Sequence, residues 1–184
     1  MSIVDQKLQI FLVFPEVADK VPVVILIHEN RGLNNWARSM ADQIAAMDYV
    51  VLAPDLLSGK APDGGGTSAF KNSDAVRTAF YVLDPDQITK DLQATLAHRK
   101  QIDATNGKVA VIGFCWGGSQ SFRFVSNEDK LVAAFVCYGT RPKNKEAYTP
   151  VYGFYGGNDN RVNTTIEKSQ QTMNALNKVF TPVI

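Results

Sequence analysis

Lys108-Val-Ala-Val-Ile112 running into Gly113-Phe114-Cys115-Trp116-Gly117-Gly118 is the stretch whose reading decides the fold. Five residues of β-type pattern lead into a nucleophile-type residue set between glycines, and helix-capable residues follow from Ser119. The pattern predicts a strand, a sharp turn and a helix. At such a nucleophile elbow the central residue holds a strained backbone, so its neighbours must be small for strand and helix to approach one another. Gly113 and Gly117 stand at those two positions. The serine usual in a G-x-S-x-G elbow is here Cys115, whose thiolate is the better nucleophile. The competing reading is a glycine-rich turn that carries a buried structural cysteine.

Outward from the elbow, strand and helix patterns alternate. Val21–Ile27 is a nearly continuous apolar run, as expected of a strand buried on both faces of a sheet. Leu8–Phe14, stopped by Pro15, reads as an earlier strand paired with it. Tyr49–Ala53, Leu131–Tyr138, Val151–Tyr155 and Phe180–Ile184 supply further strands. Asn34 can cap a helix whose Trp36, Met40, Ile44 and Met47 form a stripe facing the sheet. Asp84-Pro85 opens a second helix, with Ile88, Leu92 and Leu96 spaced by four and an end near Ile102. Asn163 can cap a last helix running through Lys178. Between Leu56 and Val82 the pattern weakens, and Lys60–Thr67 is rich in turn residues, so this segment reads as a lid or binding loop. Arg77 and Tyr81 in it could reach a substrate anion, although a solvated arginine on a short helix is the favoured reading of Arg77. This alternation predicts one domain over residues 1–184, a three-layer α/β sandwich around a mostly parallel sheet.

Composition limits the functions available. The chain has 184 residues, 45 % apolar and 20 % charged, with a formal net charge of +1, so no basic stripe argues for nucleic acid. Its two cysteines, Cys115 and Cys137, make no secreted-type disulfide framework, and no Cys/His spacing suggests a metal site. The N-terminus lacks a basic-then-apolar signal pattern and no apolar run reaches membrane length, so a cytoplasmic protein without a membrane partner is expected. A small neutral or anionic molecule remains the expected partner.

Three polar positions fall at predicted carboxyl ends of strands, in the chain order Glu29, Cys115, Asp159. Open α/β sheets gather their chemistry at that edge. Nucleophile followed by acid is the order of α/β-hydrolases, which suits Asp159 as the acid that orients an imidazole. Four motifs, His28-Glu-Asn-Arg-Gly-Leu33, Ala53-Pro-Asp-Leu56, Gly113-Phe-Cys-Trp-Gly-Gly118 and Gly156-Gly-Asn-Asp159, in that order and spacing, resemble the dienelactone hydrolase family, carboxymethylenebutenolidase-like α/β-hydrolases. The resemblance runs from about Leu8 to the end of the chain, and the cysteine elbow is its most specific part. It implies Cys115 as nucleophile, Asp159 as triad acid, and Glu29 as the carboxylate that holds the resting thiol. It also implies an oxyanion hole from the backbone N–H groups of Trp116 and Asn30. The implied reaction is hydrolysis of a lactone or activated ester through an acyl-thioester, with no metal or organic cofactor. For the family's substrate-carboxylate arginines this sequence offers only Arg77 and Arg31 as candidates.

One departure stands out. The triad histidine of this fold follows the last strand, whereas the chain reaches Ile184 within that strand and has only two histidines. His28 neighbours Glu29 and should face the other way, because adjacent strand residues point to opposite faces. His98 belongs to a helix. The expectation is therefore a domain truncated before its histidine loop and terminal helix, lacking its own general base and leaving an apolar face that favours a homodimer. A broad carboxylesterase of the same fold, or a non-catalytic relative, are the rival readings.

Overall fold

The computed structural model describes residues 7–141 and 149–184, so the first six residues, read above for a signal pattern, lie outside it. The strands are β1 (Ile10–Val13), β2 (Val21–Ile27), β3 (Val50–Pro54), β4 (Thr105–Phe114), β5 (Ala133–Cys137), β6 (Val151–Phe154) and β7 (Phe180–Val183). They form one sheet in the order β1-β3-β2-β4-β5-β6-β7. Only the β1–β3 pair is antiparallel. The helices are α1 (Asn35–Ala45), α2 (Ser73–Tyr81), α3 (Pro85–His98), α4 (Trp116–Phe124), α5 (Asn160–Asn163) and α6 (Ile166–Ala175). No helix among the described residues is long and apolar enough to cross a membrane.

The unbroken apolar run of β2 is explained by its place. Parallel neighbours β3 and β4 take both its edges, and residues on both of its faces enter a core. That corrects the expected pairing of the first strand: β1 cannot reach β2 and pairs with β3 at the sheet margin.

The larger core lies on one face, where Val23, Ile25, Val111 and Val136 meet Phe80, Leu92, Phe122 and Met173 from α2, α3, α4 and α6. The other face carries α1, packed on Leu26, Val51 and Ala53. Asn34 caps α1 as expected, its side chain accepting from the Ala37 amide at 3.0 Å. The buried stripe, however, is Ala37, Ala41 and Ala45 rather than Trp36, Met40, Ile44 and Met47. Small side chains let this helix lie close on the strands, while Met40 and Ile44 flank the contact and Met47 is 68 % exposed. Over β4 to β7 this second face bears no helix among the described residues. Phe135 stacks on Tyr152 there at 5.5 Å, and Phe154 is 42 % exposed.

Two further expectations change. The weakly patterned segment contains a regular helix, α2, capped by the Asn72 side chain, which accepts from the Ala75 amide at 2.9 Å. The last helix is split into α5 and α6, and Asn163 does not cap it. The Asp159 carboxylate caps α5 instead, and the Asn163 side chain donates to the Gly156 carbonyl at 2.9 Å.

Candidate active site

The elbow is built by β4 ending at Phe114 and α4 beginning at Trp116, with Cys115 alone between them at φ 54° and ψ −115°. A non-glycine residue held there stores about 1–3 kcal/mol of backbone strain, which surrounding contacts must hold in place. The glycines permit it by closeness. A Cβ on Gly113 would lie 2.0 Å from the Gly117 carbonyl oxygen, and one on Gly117 would lie 2.3 Å from the Ile27 and His28 oxygens. The Cys115 amide donates to the Cys137 carbonyl at 3.0 Å, tying the turn to the end of β5.

The ladder sets the relation of Cys115 to Glu29. Ile27 of β2 pairs with Gly113 of β4, so Glu29 and Cys115 each stand two residues beyond one rung. Neighbouring strands lie about 4.8 Å apart. Both side chains are half-buried. Asp159 follows β6, two strands from β4 at the same sheet edge. Its carboxylate accepts from the Val162 amide at 3.1 Å and pairs with Arg161 at 3.9 Å. Among the described residues no hydrogen bond joins it to Cys115 or Glu29. Glu29 and Cys115 thus follow paired strand ends at one edge of the sheet, and Asp159 shares that edge but is bound to its own helix.

Trp116 opens α4, where an amide has no intrahelical acceptor and the helix dipole favours an anion. The Asn30 side chain donates to the Tyr81 hydroxyl at 3.4 Å, which brings α2 to the loop after β2. Arg31 is exposed beside it, while Arg77 turns outward, 53 % exposed and 3.7 Å from Asp74.

Neither histidine stands free at this edge. His28 is fully buried. The Leu56 amide can only donate, so His28 Nε2, 3.4 Å away, accepts from it. Nδ1 then carries the proton and donates to the Glu29 carbonyl at 2.9 Å. The ring stacks 6.2 Å from Trp116 and meets Phe80 edge-on at 5.2 Å. Burial drives its pKa below the ordinary histidine value, opposed by the Glu29 carbonyl bond and the Asp55 charge. His98 ends α3 at the opposite side of the sheet, before β4 begins at Thr105, and β4 itself is about 30 Å long.

Sequence reasoning missed three contributors. Asp55, buried, accepts from the Leu57 amide (3.0 Å), the Thr67 amide (2.7 Å) and the Thr67 hydroxyl (2.7 Å). The same Thr67 oxygen accepts from the Leu33 amide at 3.1 Å, so the loop carrying Glu29 and Asn30 is pinned through Thr67 to Asp55. The Pro-Asp after an apolar strand was the only signal. Tyr138, at φ 42° beyond β5, is the third. Burial raises its phenol pKa, and Cys137, Glu29 and Cys115 raise it further, as expected of a ring near all three.

The dienelactone hydrolase family model matches residues 8–181. The chain belongs to the dienelactone hydrolase family. Relatives include a protein of Yersinia pestis, 27 % identical over 171 residues and 85 % of this chain. Another is a carboxymethylenebutenolidase of Pseudomonas putida, 27 % identical over 150 residues and 77 % of this chain. The chain spans 62 % of the length of each. Among solved structures, one from Klebsiella pneumoniae superimposes with a TM-score of 0.81 at 20 % identity, covering 95 % of this chain and 78 % of its own. A dienelactone hydrolase-like promiscuous phosphotriesterase from metagenomic libraries gives 0.76 at 21 %, covering 94 % and 73 %. The fold of this dienelactone hydrolase family member is therefore that of an α/β-hydrolase, with a mostly parallel sheet and its elbow at the carboxyl edge.

Proposed function

We propose that this family member is a thiol hydrolase, cleaving a lactone or activated ester through an acyl-thioester on Cys115. The observation that supports this reading is the rung shared by Ile27 and Gly113, beyond which Glu29 and Cys115 follow side by side on an elbow of strained backbone. In the proposed reaction the Cys115 sulfur bonds to the carbonyl carbon and the carbonyl electron pair moves onto oxygen. The Trp116 and Asn30 amides meet that oxyanion. Collapse breaks the ester C–O bond, the alkoxide leaves as the alcohol with the proton that the thiol gave up to Glu29 on attack, and the acyl group stays on sulfur. Water then adds to the thioester and frees the acid. Glu29 holds the resting thiol, Asp159 is the acid for an imidazole, and Tyr81 and Arg31 flank Asn30 where polar substrate groups would lie. His28 has both nitrogens engaged and His98 lies at the other edge, so turnover by these residues alone is slow.

The test is acylation by 4-nitrophenyl acetate. Mass spectrometry should locate an acetyl group on Cys115 that Cys115→Ala lacks, and added imidazole, acting as an external base, should speed its release. Absence of any adduct without imidazole, together with no 4-nitrophenol released above the Cys115→Ala rate when imidazole is added, would leave a binding fold without this chemistry. Equal rates on dienelactones and simple acyl esters would favour a broad carboxylesterase.

A further inference from the structure

Two residues at the carboxyl edge share a backbone peculiarity: Cys115 at φ 54° and Tyr138 at φ 42° are both non-glycine residues in the left-handed region. A bulky residue there is strained, persists only where its surroundings over-determine it, and marks a candidate functional position. The ladder puts the two at neighbouring positions. Phe114 of β4 pairs with Cys137 of β5, and Cys115 and Tyr138 each stand one residue beyond that rung.

The segment carrying Tyr138 is held from three directions. Its own amide donates to the Phe154 carbonyl at 2.7 Å, and the Cys137 carbonyl before it accepts from the Cys115 amide at 3.0 Å. Two residues on, the Thr140 amide donates to Ser119 Oγ of α4 at 2.8 Å. Packing alone does not account for a tyrosine here. The ring lies 6.3 Å from that of Phe114, the residue is 40 % exposed, and glycine would adopt this backbone without strain. Among the described residues no hydrogen bond engages its hydroxyl. Burial raises its pKa and the charges of Cys137, Glu29 and Cys115 raise it further, so the phenol keeps its proton when the Cys115 thiolate forms.

We infer that Tyr138 is a further catalytic residue of this site, donating its hydroxyl proton to the leaving oxygen of an ester attacked by Cys115. The inference rests on the reading of Cys115 as nucleophile. In the sheet order β2-β4-β5, Asn30 lies on one side of Cys115 and Tyr138 on the other. A tetrahedral carbon on sulfur with its oxyanion toward the Trp116 and Asn30 amides can therefore turn its leaving oxygen toward Tyr138. As the C–O bond breaks, its electron pair takes the phenol proton and the alcohol departs. The proton that the thiol gave up to Glu29 returns to the phenolate through water, so the tyrosine ends unchanged and no proton is gained or lost. A carboxyl is a stronger acid than a phenol, and a phenol than an alcohol, so both of these transfers run downhill. Neither histidine is placed to deliver that proton, since His28 has both nitrogens engaged and His98 lies at the other edge.

The experiment compares 4-nitrophenyl acetate, whose phenolate departs without a proton, with trifluoroethyl acetate, whose alkoxide needs one. Both put the same acetyl group on Cys115, and mass spectrometry times its appearance in the native chain and in Tyr138→Phe. Loss of the hydroxyl should raise the ratio of the nitrophenyl rate to the trifluoroethyl rate by about a hundredfold, the scale of one general acid. A merely structural tyrosine would slow both esters alike. An unchanged ratio, or a native chain that accepts acetyl from the nitrophenyl ester alone, overturns the inference and leaves the hydrolase reading standing. No acetyl group on Cys115 from either ester removes that reading and the inference with it. A second readout needs no turnover. The tyrosinate absorbance step that Tyr138→Phe lacks should move to lower pH in Glu29→Gln and in Cys115→Ala, because each change takes a negative charge from beside the phenol. A step that neither variant moves places the phenol away from both residues and also overturns the inference.

Discussion

Replacing Asp55 tests whether the loop carrying Glu29 and Asn30 is held in place by one buried carboxylate. In Asp55→Ala the amides of Leu57 and Thr67 and the hydroxyl of Thr67 lose their acceptor in an interior where Leu57 is fully buried and Asp55 nearly so. Each orphaned donor costs about 1–3 kcal/mol, so with partial relaxation the loss should be roughly 3–6 kcal/mol. Asp55→Asn is milder. Its amide oxygen can still serve the Thr67 amide, and its NH2 can donate to the Thr67 hydroxyl oxygen, but the Leu57 amide then faces a donor, so about 1–3 kcal/mol is lost. Thr67→Val removes the other half of the clamp and leaves the Leu33 amide unpaired. Because Asp55 and Thr67 share two bonds, the double variant should fall short of the summed losses by at least about 1 kcal/mol. Urea unfolding followed by tryptophan fluorescence measures all four variants, with an unchanged slope as the check on two-state behaviour. A loss under about 0.5 kcal/mol for Asp55→Ala would refute the reasoning, since that is the size of an ordinary surface change.

Other outcomes follow from separate contacts. Gly117→Ala should lose more than about 3 kcal/mol or fail to fold, because its methyl would lie 2.3 Å from two backbone oxygens, whereas Gly157→Ala, with open space around it, should be neutral in the same denaturation assay. His28 has a lowered folded pKa, so below about pH 6.5 the unfolded chain takes up a proton that the folded one does not. Stability should then fall as the pH drops below about 6.5, by at most about 1.4 kcal/mol per unit, and His28→Asn should flatten that slope in urea titrations. Burial pushes the Cys137 thiol up to about 11, so iodoacetamide at pH 8 should leave it unmodified in peptide mapping until the chain is unfolded.

Much of the frame was legible because local pattern and final environment agree. The bounds of β2 could be read directly, since a strand flanked on both sides in a parallel sheet has no polar face to break the run. The elbow was legible because a strained turn between strand and helix admits few residue types, and Gly113 and Gly117 declare it. What stayed hidden depends on partners distant in sequence. Whether α1 turns Ala41 or Met40 toward the sheet is decided by how closely β3 approaches, and a periodic pattern with two apolar faces cannot say. The exchange of β2 for β3 as the partner of β1 depends on β4, which arrives some fifty residues after β3. Asp159 could be placed at that edge, but its use as the cap of α5 was missed, because Asn163 was read as the cap of the last helix. Nothing local reports that Asp55 will meet Thr67 across a twelve-residue loop.

The rung shared by Ile27 and Gly113 also bears on how such a centre can change its chemistry without losing its place. The strand ends that lead to Glu29 and Cys115 are set against each other by main-chain hydrogen bonds between β2 and β4. Those bonds are indifferent to which side chains stand on either strand end. A side chain exchanged at position 115, or a carboxylate exchanged for an amide at position 29, would leave that pairing untouched. The side chains at this edge are therefore separable from the ladder that carries them. The glycines at 113 and 117 are fixed by contact, whereas the residues at 29 and 115, beyond the last rung, are open to variation by selection or by design.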